Sequence, residues 1–142
     1  MNYNIMKNYT DIEQSKKLEE ILSLERADHH YVRQVRDSTG KPVDRKWSTP
    51  KYGNPNSSYA IYIVQNFSSY EKIPCWSLAA LLDVLNKTTY FMDEDASVNL
   101  SSYKTIEWDL GIDNSDLELV TESNPIDACY EMIIKLYELN LL

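Results

Sequence analysis

Four side chains here could do nucleophilic or metal chemistry: Cys75, Cys129, His29 and His30, the only cysteines and histidines present. A thiol nucleophile needs a base nearby and a lowered pKa. Cys75 lies near the start of the stretch IPCWSLAALLDVLN, which reads as a helix opened by Pro74. The positive end of a helix dipole would favour a thiolate there. Cys75 with a histidine is thus one candidate set, for thiol hydrolysis. No local family signature surrounds either cysteine, and a small apolar filler beside Trp76 explains Cys75 more simply. Cys129 falls within an apolar stripe and reads as core. Asp28, His29 and His30 hint at a metal, but neighbours in an extended run point to opposite faces. Zinc needs three or four converging ligands, and the cysteines form no CxxC. No catalytic residue, no metal ligand and no cofactor is expected.

The acids offer two further sets. Asp93, Glu94 and Asp95, with Asp113, Asp116 and Glu118, could bind calcium, yet the alternate oxygens, central glycine and distal glutamate of a calcium loop are missing. Glu107 and Asp109 share a strand face, as general acid–base pairs sometimes do, and an exposed polar sheet face accounts for them. Neither GxxxxGK[ST] nor GxGxxG occurs, so no nucleotide site is expected. Between residues 93 and 131 there are eleven Asp and Glu against Lys104 alone. That density makes an acidic inhibitor mimicking DNA an alternative reading.

The most unusual stretch is 31–59. Arg33, Arg36, Lys41, Arg45, Lys46 and Lys51 stand against Asp37 and Asp44, with Tyr31, Trp47, Tyr52 and Tyr59 interleaved. Basic and aromatic side chains together can hold single-stranded nucleic acid. They can equally dock on an acidic protein, including the acidic half of a second copy of the chain. A plain surface loop is the simplest reading. Arg33, Arg36, Arg45, Lys46, Trp47 and Tyr52 are the candidate partner-binding residues, because Arg, Trp and Tyr dominate interface energies.

Charge sharpens this. The chain has 142 residues and a net charge of −8. Residues 1–60 hold ten Lys and Arg against eight Asp and Glu, while residues 61–142 hold four against fourteen. An acidic half repels phosphates, which argues against broad nucleic-acid binding. Apolar content of 43% and charged content of 25% are ordinary for a globular domain. The longest aliphatic run, LAALL, is too short for a bilayer. The first residues lack the apolar stretch of a signal peptide. Two cysteines make no disulfide framework. A cytoplasmic chain with free thiols is expected, with no membrane contact.

The elements that must position these residues follow from pattern. TDIE reads as a capping box from Thr10 to Glu13, opening a helix over 11–24 with Leu18, Ile21 and Leu22 on one face and a Glu13–Lys17 pair outside. Runs 30–36 and 42–47 flank DSTG as a hairpin with Pro42 at an edge. Residues 48–58 read as a long surface loop, and YAIYIVQN (59–66) as an interior strand. Leu78, Leu81, Leu82 and Leu85 form a helical stripe ending near Asn86. TTYFM (88–92) reads as a short strand and DEDASVN as a break. YKTIEWDL (103–110), with Ile106, Trp108 and Leu110 on one face, pairs with 117–122 across GIDNSD. Asn124 caps a last helix with Pro125 at its first position. Its stripe is Cys129, Met132, Ile133, Leu136 and Tyr137 or Asn140.

Helices among antiparallel hairpins indicate one α+β domain spanning 1–142, a sheet of four to six strands covered by about three helices. IPCWSLAALLDVLN and ESNPIDACYEMIIKLYELNLL resemble paired segments of small uncharacterised bacterial proteins associated with phage and mobile elements. The two segments make up about a quarter of the chain. It implies a small cytoplasmic accessory domain and assigns no functional residue. The functional expectation is a non-enzymatic accessory or protein-interaction domain.

Overall fold

A computed structural model describes residues 7–56, 69–104 and 107–142. The element order is α1 (Ile12–Ile21), β1 (His29–Arg36), β2 (Lys51–Tyr52), β3 (Ser69–Cys75), α2 (Leu78–Met92), β4 (Ser97–Tyr103), β5 (Glu107–Asp113), β6 (Val120–Glu122) and α3 (Pro125–Glu138). A single 3-10 turn, Leu24–Arg26, follows α1. The class is α+β, as expected. Its six described strands are shared between two antiparallel three-stranded sheets, β2–β1–β3 and β4–β5–β6. Two compact units contain them: Asp11–Trp76, and Ser77–Leu142 with Met1–Thr10.

In the Asp11–Trp76 unit, α1 starts one residue later than the sequence pattern indicates. Asp11 is the cap: its carboxylate accepts from the Gln14 amide at 2.8 Å, and the Gln14 side chain accepts from the Asp11 amide at 3.1 Å. The box logic holds with Asp for Thr, because Thr10 is fully buried. Lys17 lies 3.8 Å from Glu20 rather than pairing with Glu13. Leu18 and the C-cap Leu22 are buried, and α1 packs on β3.

The turn after β1 forms as predicted, with Gly40 at φ 82°. Asp37 anchors it by accepting from the Thr39 hydroxyl at 2.6 Å and the amides of Thr39 and Lys41. The returning run 42–47 is not a strand. Pro42 has no N–H to donate, and only one bridge, Arg36 with Pro42, is made. The Val43 amide reaches the Val35 carbonyl, and the ladder resumes where the Ser48 amide reaches Val32. Residues between those two bonds loop out. The stretch read as a long loop contains β2, whose Tyr52 and Lys51 pair with His29 and His30. The strand expected at 59–66 lies outside the described residues, as do residues 57 and 58.

Pro74 does not open a helix. It belongs to β3, opposite His30, a position that needs no N–H where β3 is the outer strand among those described. Ser77 caps α2 instead, accepting from the Ala80 amide at 3.3 Å. The helix runs past Asn86 to Met92, replacing the short strand read at 88–92. Thr88 and Thr89 are buried one turn beyond Val84 and Leu85, and the Thr89 hydroxyl donates to the Asn86 carbonyl at 3.1 Å. Burial of one continuous face outweighs the modest helix penalty of β-branched residues.

In the Ser77–Leu142 unit, the expected pairing across GIDNSD is present, with Leu110 opposite Val120. β5 continues through Gly111 to Asp113, and its other edge carries β4, which the pattern read only as a break. Residue 106 lies outside the described residues; Leu110 is fully buried and Trp108 half-buried. The α3 reading holds closely. The Asn124 side chain accepts from the Asp127 amide at 2.9 Å, and Pro125 follows. Ile126, Cys129, Met132, Ile133 and Leu136 are fully buried, the four larger side chains each contributing about 1.5–3 kcal/mol of apolar burial. Tyr137 and Asn140 are exposed, not core. Asn140 takes φ 58° and ends the helix, with the Leu141 amide on the Leu136 carbonyl and the Asn140 amide on that of Tyr137, a Schellman stop.

His30 pins the β1–β2 edge. It is fully buried, and its Nδ1 lies 2.7 Å from the Gly53 carbonyl, so Nδ1–H must donate. Burial holds this imidazole below its usual value of 6.5, and the positive charges of Lys72 and Lys51 add to that against the opposing Gly53 bond. A folded-state pKa below the unfolded one means that stability is full above pH 6.5 and declines as pH falls towards the depressed value. We expect the urea midpoint to drop between about pH 7.5 and about pH 5.5, and the drop to shrink in His30→Gln. Equal drops in both chains would contradict this role.

Candidate functional site

The register of β1 against β3 decides what the candidate residues can do. His29, Tyr31 and Arg33 face Cys75, Ile73 and Glu71 on one side; His30, Val32 and Gln34 face Pro74, Lys72 and Tyr70 on the other. The two histidines therefore lie on opposite faces, as predicted for adjacent strand residues. Tyr31 is 9% exposed and belongs to the core.

Folding brings one histidine to a thiol. Directly opposed strand residues hold their Cβ atoms about 5 Å apart, which places His29 beside Cys75. The Asp28 carboxylate sits 3.1 Å from His29 Nδ1, and the Tyr52 ring meets the imidazole edge-on at 5.6 Å. Nucleophile, base and orienting acid are thus in line of sequence and register. Exposure decides against chemistry there: Cys75 is 0% exposed, within a strand rather than at a helix start. Cys129 is equally enclosed, and burial pushes its thiol up to about 12. Among the described residues no three His, Cys, Asp or Glu side chains converge to hold a metal.

The basic segment is more open. Arg33 is directly opposite Glu71, and its Nε and Nη2 both donate to one carboxylate oxygen at 2.9 Å. Its guanidinium lies 4.4 Å from the centre of the Trp47 ring, within cation–π range. Both are half-buried, so they form a scaffold more than a free contact. Arg36 is exposed, with Nη1 donating to the Gly40 carbonyl at 3.0 Å. Lys41, Arg45, Lys46 and Lys51 are exposed, and Tyr52 is 67% exposed. The Thr39 hydroxyl, then the Lys41 and Thr39 amides, and last Arg45 hold the Asp37 carboxyl below its usual range. Tyr59 lies outside the described residues. Arg33 and Arg36 thus belong to the central strand β1, and the Arg33–Trp47 contact braces the loop that displays Arg45 and Lys46.

Several of the acids of the 93–131 stretch have partners of their own. Asp127 pairs with Lys7 at 2.9 Å, and Glu118 lies 4.0 Å from Lys135. Asp109 accepts from the Thr121 hydroxyl. Glu131 is raised by burial first, then by Glu122, Asp127 and Glu138.

Pattern reading missed one feature. Beside the end of α2, a cavity of about 350 Å³ has Met92, Ala96, Leu117 and Leu141 in its lining and Asp93 and Asp116 among its polar residues. Tyr90 and Phe91, 66% and 88% exposed, stack edge-on just before it in sequence. The aromatic-rich TTYFM was the available signal, obscured by reading it as a strand. No helix among the described residues is long and apolar enough to cross a membrane. Compared with family models, curated proteins and solved structures, the chain matches none.

Enclosed thiols should react slowly. We expect iodoacetamide at neutral pH to label the native chain at least about tenfold more slowly than the urea-unfolded chain. Rapid labelling of one thiol per native chain would contradict the enclosure of Cys75.

Proposed function

We propose that this chain is a non-enzymatic protein-interaction module, an accessory protein of a phage or mobile element working in the cytoplasm. One observation carries the reading: the edge at 36–52 presents Arg36, Arg45, Lys46, Lys51 and Tyr52 to solvent on a loop braced by the Arg33–Glu71 and Arg33–Trp47 contacts. Bracing lowers the ordering cost of binding, and Arg and Tyr are the residue types that anchor interfaces. The enclosed thiols and the resemblance of the IPCWSLAALLDVLN and ESNPIDACYEMIIKLYELNLL segments support the same reading. Trp47 then acts as support, while Arg45, Lys46 and Tyr52 make contact.

The test compares capture by tagged wild-type chain with capture by Arg45→Ala/Lys46→Ala/Tyr52→Ala. These side chains are exposed, so the variant should keep its circular dichroism and unfolding midpoint. Specific partners should fall by about tenfold, the equivalent of 1.4 kcal/mol. An identical set of partners at identical yield would overturn the reading.

A further inference from the structure

The Asp11–Trp76 unit carries ten Lys and Arg against nine Asp and Glu, whereas the Ser77–Leu142 unit, with Lys7, carries four against thirteen. Charge is therefore segregated by unit. In the acidic unit each described lysine is already engaged: Lys7 with Asp127, Lys87 with Asp83, Lys135 near Glu118, and Lys104 over the Tyr103 ring at 5.3 Å. No Lys or Arg among the described residues pairs with Asp93, Glu94, Asp95, Asp113 or Asp116.

These five carboxylates sit on two loops and, for Asp113, at the end of β5, and the two loops are tied together. The Asn114 side chain donates to the Asp95 carbonyl at 2.7 Å, joining the α2–β4 loop to the β5–β6 loop. Asp93 caps its own loop by accepting from the Asp95 amide, and the Ser115 hydroxyl donates to the Ile112 carbonyl at 2.6 Å. The cavity described above lies at this junction, where the Schellman stop of α3 delivers Leu141. Its volume suits one large side chain or a small ligand. Apolar lining beside Asp93 and Asp116 suits a particular visitor: a cation on an apolar stem, or a tyrosine flanked by cations.

The exposed edge of the other unit has that composition. We propose that the cavity beside α2 receives the Arg45–Tyr52 edge of a second copy of this chain. This rests on the interaction reading above and names its partner. The two surfaces differ, so every contact joins the edge of one copy to the cavity of another, whether two copies exchange edges reciprocally or growth continues into a ring or chain. Opposed charge steers the encounter and makes it sensitive to salt.

Sedimentation velocity tests this with two neutralised variants, Arg45→Ala/Lys46→Ala at the edge and Asp93→Asn/Asp116→Asn at the cavity. The wild-type chain should exceed its monomer mass of 16.5 kDa with rising concentration at about 50 mM salt and return to it at about 500 mM. Each variant alone should stay monomeric. An equal mixture should form pairs and stop there, since only one intact edge and one intact cavity remain between two chains. A wild-type chain that stays monomeric at every concentration and salt overturns the proposal, and so do variants that associate like wild type or a mixture that never pairs. The salt series on the unaltered chain decides the matter even if a variant misfolds. A monomeric wild type that still loses captured proteins on Arg45, Lys46 and Tyr52 truncation removes the second copy as partner and leaves the interaction reading standing.

Discussion

The pairing of β1 with β3 is the constraint on which the rest of the Asp11–Trp76 unit depends. Strand side chains alternate, so a slip of one residue would reverse every face. In the observed register His30 turns inward onto the Gly53 carbonyl, Cys75 is sealed beside His29, and Arg33 meets Glu71. Only because Arg33 is held there can the Trp47 ring lie over it. A surface pair of this kind contributes little stability by itself, about 0–1 kcal/mol. Its consequence is geometric: it fixes where the looped-out residues 44–47 leave the sheet.

That loop exists because the returning chain cannot complete a ladder. Pro42 removes a donor, and pairing with β1 resumes only at Ser48 and β2. Unpaired strand edges invite association, and exposed charge is a common way to control which partner is accepted. Here the edge carries cations and Tyr52, while the separate acidic unit offers an apolar cavity amid carboxylates. Segregated charge, loop bracing and an open cavity are three independent features on which the proposed interaction role rests. Among the described residues, the thiol that the register sets beside His29 is fully enclosed.

Much of this was legible in the sequence where one residue type has one dominant use. Asn124-Pro125 read correctly as a helix start because an asparagine followed directly by proline suits a cap and first helical position better than any competing element. The turn at Gly40 and the β5–β6 pairing were legible for the same reason. Pro74 misled because proline suits both a helix start and an outer strand, and only the partner strand distinguishes them. Thr88 and Thr89 favour strands locally, but their burial beside Val84 and Leu85 is a tertiary effect that pattern alone does not weigh. β4 was missed since SVNLSSY offers only Val98 and Leu100 as an apolar alternation, and five of its seven residues are exposed. At the surface, composition singled out the basic, aromatic residues, but not that Arg33 and Trp47 would brace each other. The cavity depends on Leu141, Met92 and Leu117 meeting from three elements distant in sequence, which no local spacing encodes.

The most direct measurement of the central claim is zero-length carbodiimide cross-linking of an equal mixture of ¹⁴N- and ¹⁵N-labelled chains at low salt, read by mass spectrometry. Mixed-isotope peptides identify links between copies. The account predicts such links from Lys46 or Lys51 of one copy to Asp93 or Asp116 of another, lost at high salt. Mixed-isotope links that avoid both surfaces, or links only within single chains, would contradict it.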